Sequence, residues 1–180
     1  MKKSQIRKLI LKKRAKFKIK DSEFNFKSLL KLLSRESKNN KIGLYYPIGS
    51  EVSTIELIKN LRKKKYIISL PVIEKNFKMS FYEWIIKTPL YINNFGIPEP
   101  LKLKKTVPST LIIPLVAFDD KLNRLGYGGG FYDRFIDKFE ESKKILKIGL
   151  ALSCQKINKV PNGKFDKKMN YIFTENKVYK

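Results

Sequence analysis

Histidine is absent from these 180 residues and cysteine occurs once, at position 154. Without imidazole the chain has no Ser-His-Asp or Cys-His nucleophile, no histidine-ligated zinc and no side chain that titrates near neutrality unperturbed. Chemistry is left to carboxylates, cations and backbone dipoles. A lone Cys154 closes no intramolecular disulfide and builds no cysteine cluster, so it reads as a small buried hydrophobe in a reducing compartment. Acids are scarce too, 16 Asp and Glu against 40 Lys and Arg, for a formal charge of +24. No apolar run approaches the ~20 residues of a membrane-spanning helix, and the N-terminus lacks the apolar core and small-residue cleavage site of a secretory leader. The expected location is the cytoplasm.

What is present suffices for a core. A hydrophobic fraction of 42%, in a chain long enough to bury about 70% of its unfolded surface, predicts one folded domain spanning residues 1–180. The positive field attracts nucleic acid, anionic lipid or phosphorylated small molecules without choosing among them. Residues 1–40 carry 14 cations and 3 acids, and Lys outnumbers Arg 34 to 6 over the chain. Specific phosphate or base recognition favours Arg forks, so much of this charge reads as a solvated face. Residues 1–20 hold ten cations and no acid, with Ile6, Leu9, Ile10 and Phe17 at near-helical spacing. That pattern suits a transit peptide, a membrane-surface helix or a solvated helix, and the last is the reading adopted.

Periodicity predicts a first helix over residues 4–17 and a second from an Asp21-Ser22 cap, with Phe26, Leu29, Leu30 and Leu33 on one stripe. A strand over 42–46 precedes a capping box at Ser53, Thr54, Ile55 and Glu56 that opens a helix to about residue 62. Apolar runs at 66–73, 111–117 and 145–152 predict strands covered on both faces, and 78–86 and 171–174 predict two more. Pro114 suggests a bulge or a sheet edge. Residues 93–100, with Gly96, Pro98 and Pro100, read as an irregular loop. Phe131, Phe135, Ile136 and Phe139 mark a helix over 131–141. Strands alternating with helices define a single-domain α/β fold with a mostly parallel sheet.

Between a strand and a helix lies the most informative stretch, residues 119–134, where four of nine glycines fall at positions 126, 128, 129 and 130. Glycine permits positive φ and leaves no Cβ in the way, so several N–H groups can converge on an anion at the start of the next helix. Phe131 stands where the third glycine of G-x-G-x-x-G belongs, and no G-K-[ST] follows, so the loop is neither a dinucleotide fingerprint nor a P-loop. A plain glycine-rich turn is the other reading. Arg124 is either a phosphate partner or a surface cation. Asp133 either holds magnesium or answers the helix dipole.

The segment from Arg124 through Leu125, Gly126, Tyr127, Gly128, Gly129, Gly130, Phe131, Tyr132 and Asp133 to Arg134 resembles the hallmark loop of the 5-formyltetrahydrofolate cyclo-ligases, also called 5,10-methenyltetrahydrofolate synthetases. Lys3 with Arg7, Tyr45-Tyr46-Pro47 through Glu51, Met79 and Phe81 with Trp84, the stretch from Phe95 to Pro100, and the region of Asp166 extend the resemblance along the whole chain. It implies a Rossmann-like sheet and conversion of 5-formyltetrahydrofolate to 5,10-methenyltetrahydrofolate with ATP and Mg2+, releasing ADP and phosphate. Lys3, Arg7 and the loop from Arg124 to Tyr132 would bind ATP. Tyr46, Glu51, Trp84 and the loop centre from Tyr127 to Phe131 would face the folate, and Asp133 and Asp166 would hold the metal. Phe165 stands before Asp166 where the family commonly has histidine.

From the residues alone these assignments have rivals. Lys3 and Arg7, one helical turn apart, form either an anion-facing pair or ordinary surface charge. Glu51 also fits a solvated loop, and Tyr46 and Trp84 fit the core or rim as well as a pterin stack. The alternative functions are a nucleic-acid-binding protein, motivated by runs such as Arg62-Lys63-Lys64-Lys65 although no such motif is recognisable, and another nucleotide-dependent transferase on the same fold. The partners expected are ATP and the folate, with no specific nucleic acid, no membrane, and a monomer or weak oligomer.

Overall fold

Apolar strands that must be covered on both faces belong at the centre of a sheet, and they lie there. The structure is a computed structural model that describes residues 1–17, 24, 26–37 and 39–180. The helices are α1 (Lys3–Lys16), α2 (Lys27–Glu36), α3 (Ile55–Lys63) and α4 (Phe131–Glu140). The strands are β1 (Lys41–Gly43), β2 (Ile67–Glu74), β3 (Lys78–Glu83), β4 (Leu90–Ile92), β5 (Pro98–Pro100), β6 (Lys105–Thr106), β7 (Thr110–Pro114), β8 (Ala117–Phe118), β9 (Arg124–Leu125), β10 (Leu146–Leu150), β11 (Tyr171–Phe173) and β12 (Val178–Tyr179). Eight of them form one sheet in the order β12-β11-β10-β7-β1-β2-β3-β6. The run from β11 to β2 is parallel, and the outer pairings are antiparallel.

Side chains alternate across a strand, so β7 feeds two cores. Ile112 joins Leu29, Leu33, Leu57, Ile58 and Leu61 of α2 and α3 on one face. Leu111 and Ile113 join Phe135 and Ile136 of α4 on the other, where Phe81 lies 5.0 Å from Phe135, centroid to centroid. Helix α1 docks separately, seating Ile6 and Ile10 against Val116, Ala117, Leu125 and Val160.

Several expectations change. Pro114 is neither at an edge nor in a bulge: it closes β7, a central strand, at the position paired with Leu150, where no further ladder donor is required. The run 111–117 therefore breaks there, and Ala117 restarts a ribbon with β9. The 93–100 loop is ordered, because Pro98–Pro100 pairs with Leu90–Ile92 as a hairpin. Glu99 stitches it to the sheet by accepting from the Ile73 amide and Asn93 Nδ2, each at 2.7 Å. Leu9 and Phe17 point to solvent rather than into the helix seam. The Asp21-Ser22 cap lies outside the described residues.

The capping box at 53–56 is replaced by another bond. Thr54 precedes α3, but its buried hydroxyl donates to the Tyr45 carbonyl at 2.7 Å. Thr54→Val would leave that carbonyl buried without this donor, and should lower the unfolding free energy by ~1–2 kcal/mol. Denaturant midpoints measure this, and an unchanged midpoint would contradict the assignment.

From β1 the chain crosses by α3 to β2 on one side, while from β7 it crosses by α4 to β10 on the other. The carboxyl ends of the adjacent strands β1 and β7 therefore open on a topological switch point, the usual ligand crevice of open α/β sheets.

Candidate active site

The turn after β1 builds one wall of this crevice. Tyr45 is buried and its hydroxyl donates to the Val52 carbonyl at 2.7 Å, closing the turn. The Ile48 amide donates to Glu51 Oε2 at 3.0 Å and folds the carboxylate back over the loop. Burial raises the Glu51 pKa, against hydrogen bonds from Tyr127 and the Ile48 amide and the charge of Arg14. Tyr46 is half-buried, with its ring edge-on to Trp84 at 6.2 Å. Trp84 is core rather than platform: it is buried, its indole N–H donates to the Thr88 carbonyl at 3.1 Å, and the Arg62 guanidinium lies 5.3 Å from its ring. Arg62 also donates to the Trp84 carbonyl, so one cation of the 62–65 run is structural.

The glycine loop after β7 and the β8–β9 ribbon forms the opposite wall. Gly128 and Gly130 take φ of +112° and +65°, conformations that disfavour any residue with a Cβ. Gly130 immediately precedes α4 and no side chain caps that ten-residue helix, so its first N–H groups are left for the loop end to satisfy. Leu125 does not face it; this side chain is buried under α1 as an anchor. Arg134 spans the loop, donating to the Gly129 and Phe77 carbonyls at 2.7 and 2.9 Å. Phe131 is half-buried with its ring 6.2 Å from that of Phe95.

Beneath the loop lies a buried ion pair. Arg124 Nη2 donates to Asp133 Oδ1 at 2.6 Å, with side-chain exposures of 4% and 18%. Arg124 is thus not a surface cation. Burial lowers its pKa, with Asp133 and then Tyr132 and Asp166 acting in the other direction. Arg124 Nε and the Tyr132 hydroxyl are buried with no hydrogen-bond partner among the described residues. Two orphaned polar groups, on side chains whose guanidinium and ring centroid lie 6.0 Å apart, mark a place where a bound polar ligand or water completes the structure.

The two acids assigned to metal both lie near Arg124. Asp133 Oδ1 accepts from the Lys167 amide at 3.0 Å, next in sequence to Asp166. Asp166 Oδ2 accepts from Lys3 Nζ at 2.5 Å and from the Gly163 amide at 2.7 Å. Burial alone would raise the Asp166 pKa, but these bonds outweigh it and hold the carboxyl below its ordinary value. Its stabilising contribution is therefore full above the ordinary aspartate pKa and is lost as pH falls through the lower folded value. Phe165 is exposed. The described residues contain no cluster of three or more Asp, Glu, Cys or His that could cage a metal. Magnesium commonly takes only one or two carboxylates, with waters and phosphates filling its shell. Asp133 and Asp166 supply two carboxylates beside the glycine loop, a donor set of that size, and each carries a cation partner, Arg124 or Lys3, that a metal would have to share.

Helix α1 lies across both walls. Lys3 reaches Asp166, Arg7 Nε donates to the Gly126 carbonyl at 2.8 Å, and the Arg7 guanidinium sits where a Cβ on Gly128 would meet it at 3.4 Å. Arg14, which sequence reasoning missed, donates from Nε to Ser50 Oγ at 3.0 Å and from Nη1 to the Tyr127 hydroxyl at 2.8 Å. Tyr127 lies close to Glu51, and its pKa is raised by burial and then by the Glu51 charge. The structure thus brings together Lys3, Arg7, the glycines, Tyr127, Tyr132, Glu51, Asp133 and Asp166, with Tyr46 on the rim. It leaves Leu125 and Trp84 in supporting positions.

The acid limb of kcat/KM for the substrate should lie above the ordinary carboxylate range if ionised Glu51 is required, since burial makes it ionise at higher pH. The activity remaining in Glu51→Gln should lack that limb. A limb unchanged in Glu51→Gln would assign it elsewhere.

The fold is of the single-domain α/β class with a Rossmann-like sheet, and the candidate site lies at its switch point. The profile of the 5-formyltetrahydrofolate cyclo-ligase family matches residues 1–175, and the chain belongs to that family. The 5-formyltetrahydrofolate cyclo-ligase of Haemophilus influenzae is 39% identical over 139 residues, 73% of each chain. The solved structure of the Aquifex aeolicus 5,10-methenyltetrahydrofolate synthetase matches with a TM-score of 0.78 at 31% identity, covering 99% of this chain and 92% of that one. A synthetase from Mycoplasma pneumoniae shares the fold, with a TM-score of 0.75 at 24% identity over 96% and 98% of the two chains. Membership makes this protein a ligase of folate metabolism with a folate substrate. No helix among the described residues is long and apolar enough to cross a membrane.

Proposed function

We propose that the enzyme converts 5-formyltetrahydrofolate to 5,10-methenyltetrahydrofolate, consuming ATP with Mg2+ and releasing ADP and phosphate. The observation that carries this reading is the glycine loop at the uncapped amino end of α4, on the switch-point side of the sheet, with the Tyr132 hydroxyl and Arg124 Nε buried and unpartnered. The amides of residues 126–131 receive the phosphates, and Lys3 and Arg7 add positive charge from α1. Asp133 and Asp166 would hold magnesium, which when bound supplies further charge to spread the negative charge of the transferring phosphoryl group.

The formyl oxygen is a poor leaving group. Transfer of the γ-phosphoryl forms a P–O bond to that oxygen as the bond to ADP breaks, and the carbon becomes an iminium-like centre on N5. The N10 lone pair attacks this carbon, N10 loses its proton, and the C–O bond breaks to release phosphate and leave the methenyl bridge. Both nucleophiles belong to the substrate, so the protein must align two ligands and stabilise spread charge. A chain without histidine can supply that. Tyr46 and Glu51 face the reduced pterin, where an anionic carboxylate accepts from ring N–H donors.

Purified protein given ATP, Mg2+ and 5-formyltetrahydrofolate should develop the near-ultraviolet absorbance of the methenyl product. Folded protein that binds ATP without this change would instead be another nucleotide-dependent transferase.

A further inference from the structure

Three positions of α1 are buried, Ile6, Ile10 and Arg14, spaced four apart along one stripe. The first two pack as that stripe requires, and a third aliphatic residue would satisfy fold alone. Instead a guanidinium is buried there, with the residue 4% exposed. Burying such a charge is costly unless it is well satisfied. Its hydrogen-bond partners come from three different segments: Ser50 Oγ in the turn after β1, the Leu115 carbonyl at 3.4 Å just after β7, and the Tyr127 hydroxyl in the glycine loop. All three acceptors are neutral, and the opposite charge is one step further on, at Glu51 beyond Tyr127.

We infer that Arg14 is a positioning residue for the folate half of the site. It holds the Tyr127 hydroxyl between itself and Glu51 and ties the two walls of the crevice together. Tyr127 is 43% exposed on a loop of glycines, so a bond at its hydroxyl end restrains the ring. Arg14 supplies that restraint through the hydroxyl and through a guanidinium 5.7 Å from the ring centroid. With its hydroxyl oxygen accepting from Arg14, Tyr127 directs its proton to Glu51, leaving the carboxylate a fixed orientation toward substrate. One helix then serves both ligands: Lys3 and Arg7 act at the phosphate end, and Arg14 acts at the folate end.

This inference rests on the proposed reaction, and the test separates the two. Full-length wild type, Arg14→Met, Arg14→Lys, Tyr127→Phe and the double variant Arg14→Met with Tyr127→Phe are assayed with the folate and with ATP as the varied substrate, with melting curves alongside. The folate KM should rise about tenfold in Arg14→Met and in Tyr127→Phe, with Arg14→Lys between these and wild type. The ATP KM should stay within about twofold, and the double variant should match Arg14→Met, because both changes break one chain of bonds. Losses that multiply, or an ATP KM that rises in step, would overturn the inference. Tyr127→Phe alters only a loop side chain, so an unchanged folate KM in that variant overturns it even where Arg14→Met does not fold. Wild type that binds 5-formyltetrahydrofolate but makes no product refutes the proposed reaction only, and the same comparison is then read from the folate Kd. Wild type that does not bind the folate overturns both.

Discussion

Gly129→Val should lose ~100-fold or more in kcat/KM for ATP, equivalent to ~2.7 kcal/mol, with its melting temperature nearly unchanged. A Cβ at this position would lie 2.5 Å from Phe131 Cε2 and 2.7 Å from Cδ2. The Phe131 ring has neighbours of its own to keep, Phe95 at 6.2 Å and the Arg134 guanidinium at 5.3 Å from its centroid. The loop must therefore tilt its amides or expel the ring, and either movement spoils the convergence of N–H groups on the phosphates. Position 129 is exposed in a turn outside the core, so the fold should survive. Gly129→Ala should show the same defect in smaller degree. Nucleotide titrations and steady-state kinetics on folded protein measure it; unchanged ATP affinity in Gly129→Val would remove the phosphate-cradle argument.

The second large effect is on stability. Asp133→Ala takes the carboxylate from a guanidinium that is 4% exposed and already has Nε unpartnered. Breaking a buried pair from one side costs ~3–5 kcal/mol, because the remaining charge stays desolvated. For a chain of this size that is a drop in Tm of roughly 10 °C. The Lys167 amide loses its acceptor at the same time. Replacing both partners, Arg124→Met with Asp133→Leu, should recover much of the stability while leaving the enzyme inactive. Asp133→Asn preserves the shape and should instead raise the Mg2+ concentration needed for half-maximal activity. Asp133→Ala melting with wild type would show that the pair contributes nothing, and an unaltered Mg2+ dependence in Asp133→Asn would contradict the metal role.

The alternation of strands and helices was legible because each apolar run that forms an inner strand is buried on both sides, as Leu111, Ile112 and Ile113 show. The glycine cluster between strand and helix was legible for a similar reason, since few other sequences can place positive φ at 128 and 130. The hairpin at 90–100 was not, because its second strand is Pro-Glu-Pro and its pairing is fixed by a distant glutamate bond to Ile73. Arg14 was hidden among ten cations in the first twenty residues. Its place as the third member of the Ile6, Ile10 stripe was the available clue. Arg124 could be read as surface charge only while its neighbours were unknown: Gly126, which has no Cβ to crowd its guanidinium, and Asp133 seal it beneath the loop.

A complex with an unhydrolysable ATP analogue and Mg2+ tests the central claim most directly. Terminal phosphate oxygens should lie within hydrogen-bonding distance of the amides of residues 126–131, with Lys3 and Arg7 alongside. A triphosphate seated elsewhere, with the glycine loop closed and its amides turned away, would contradict it.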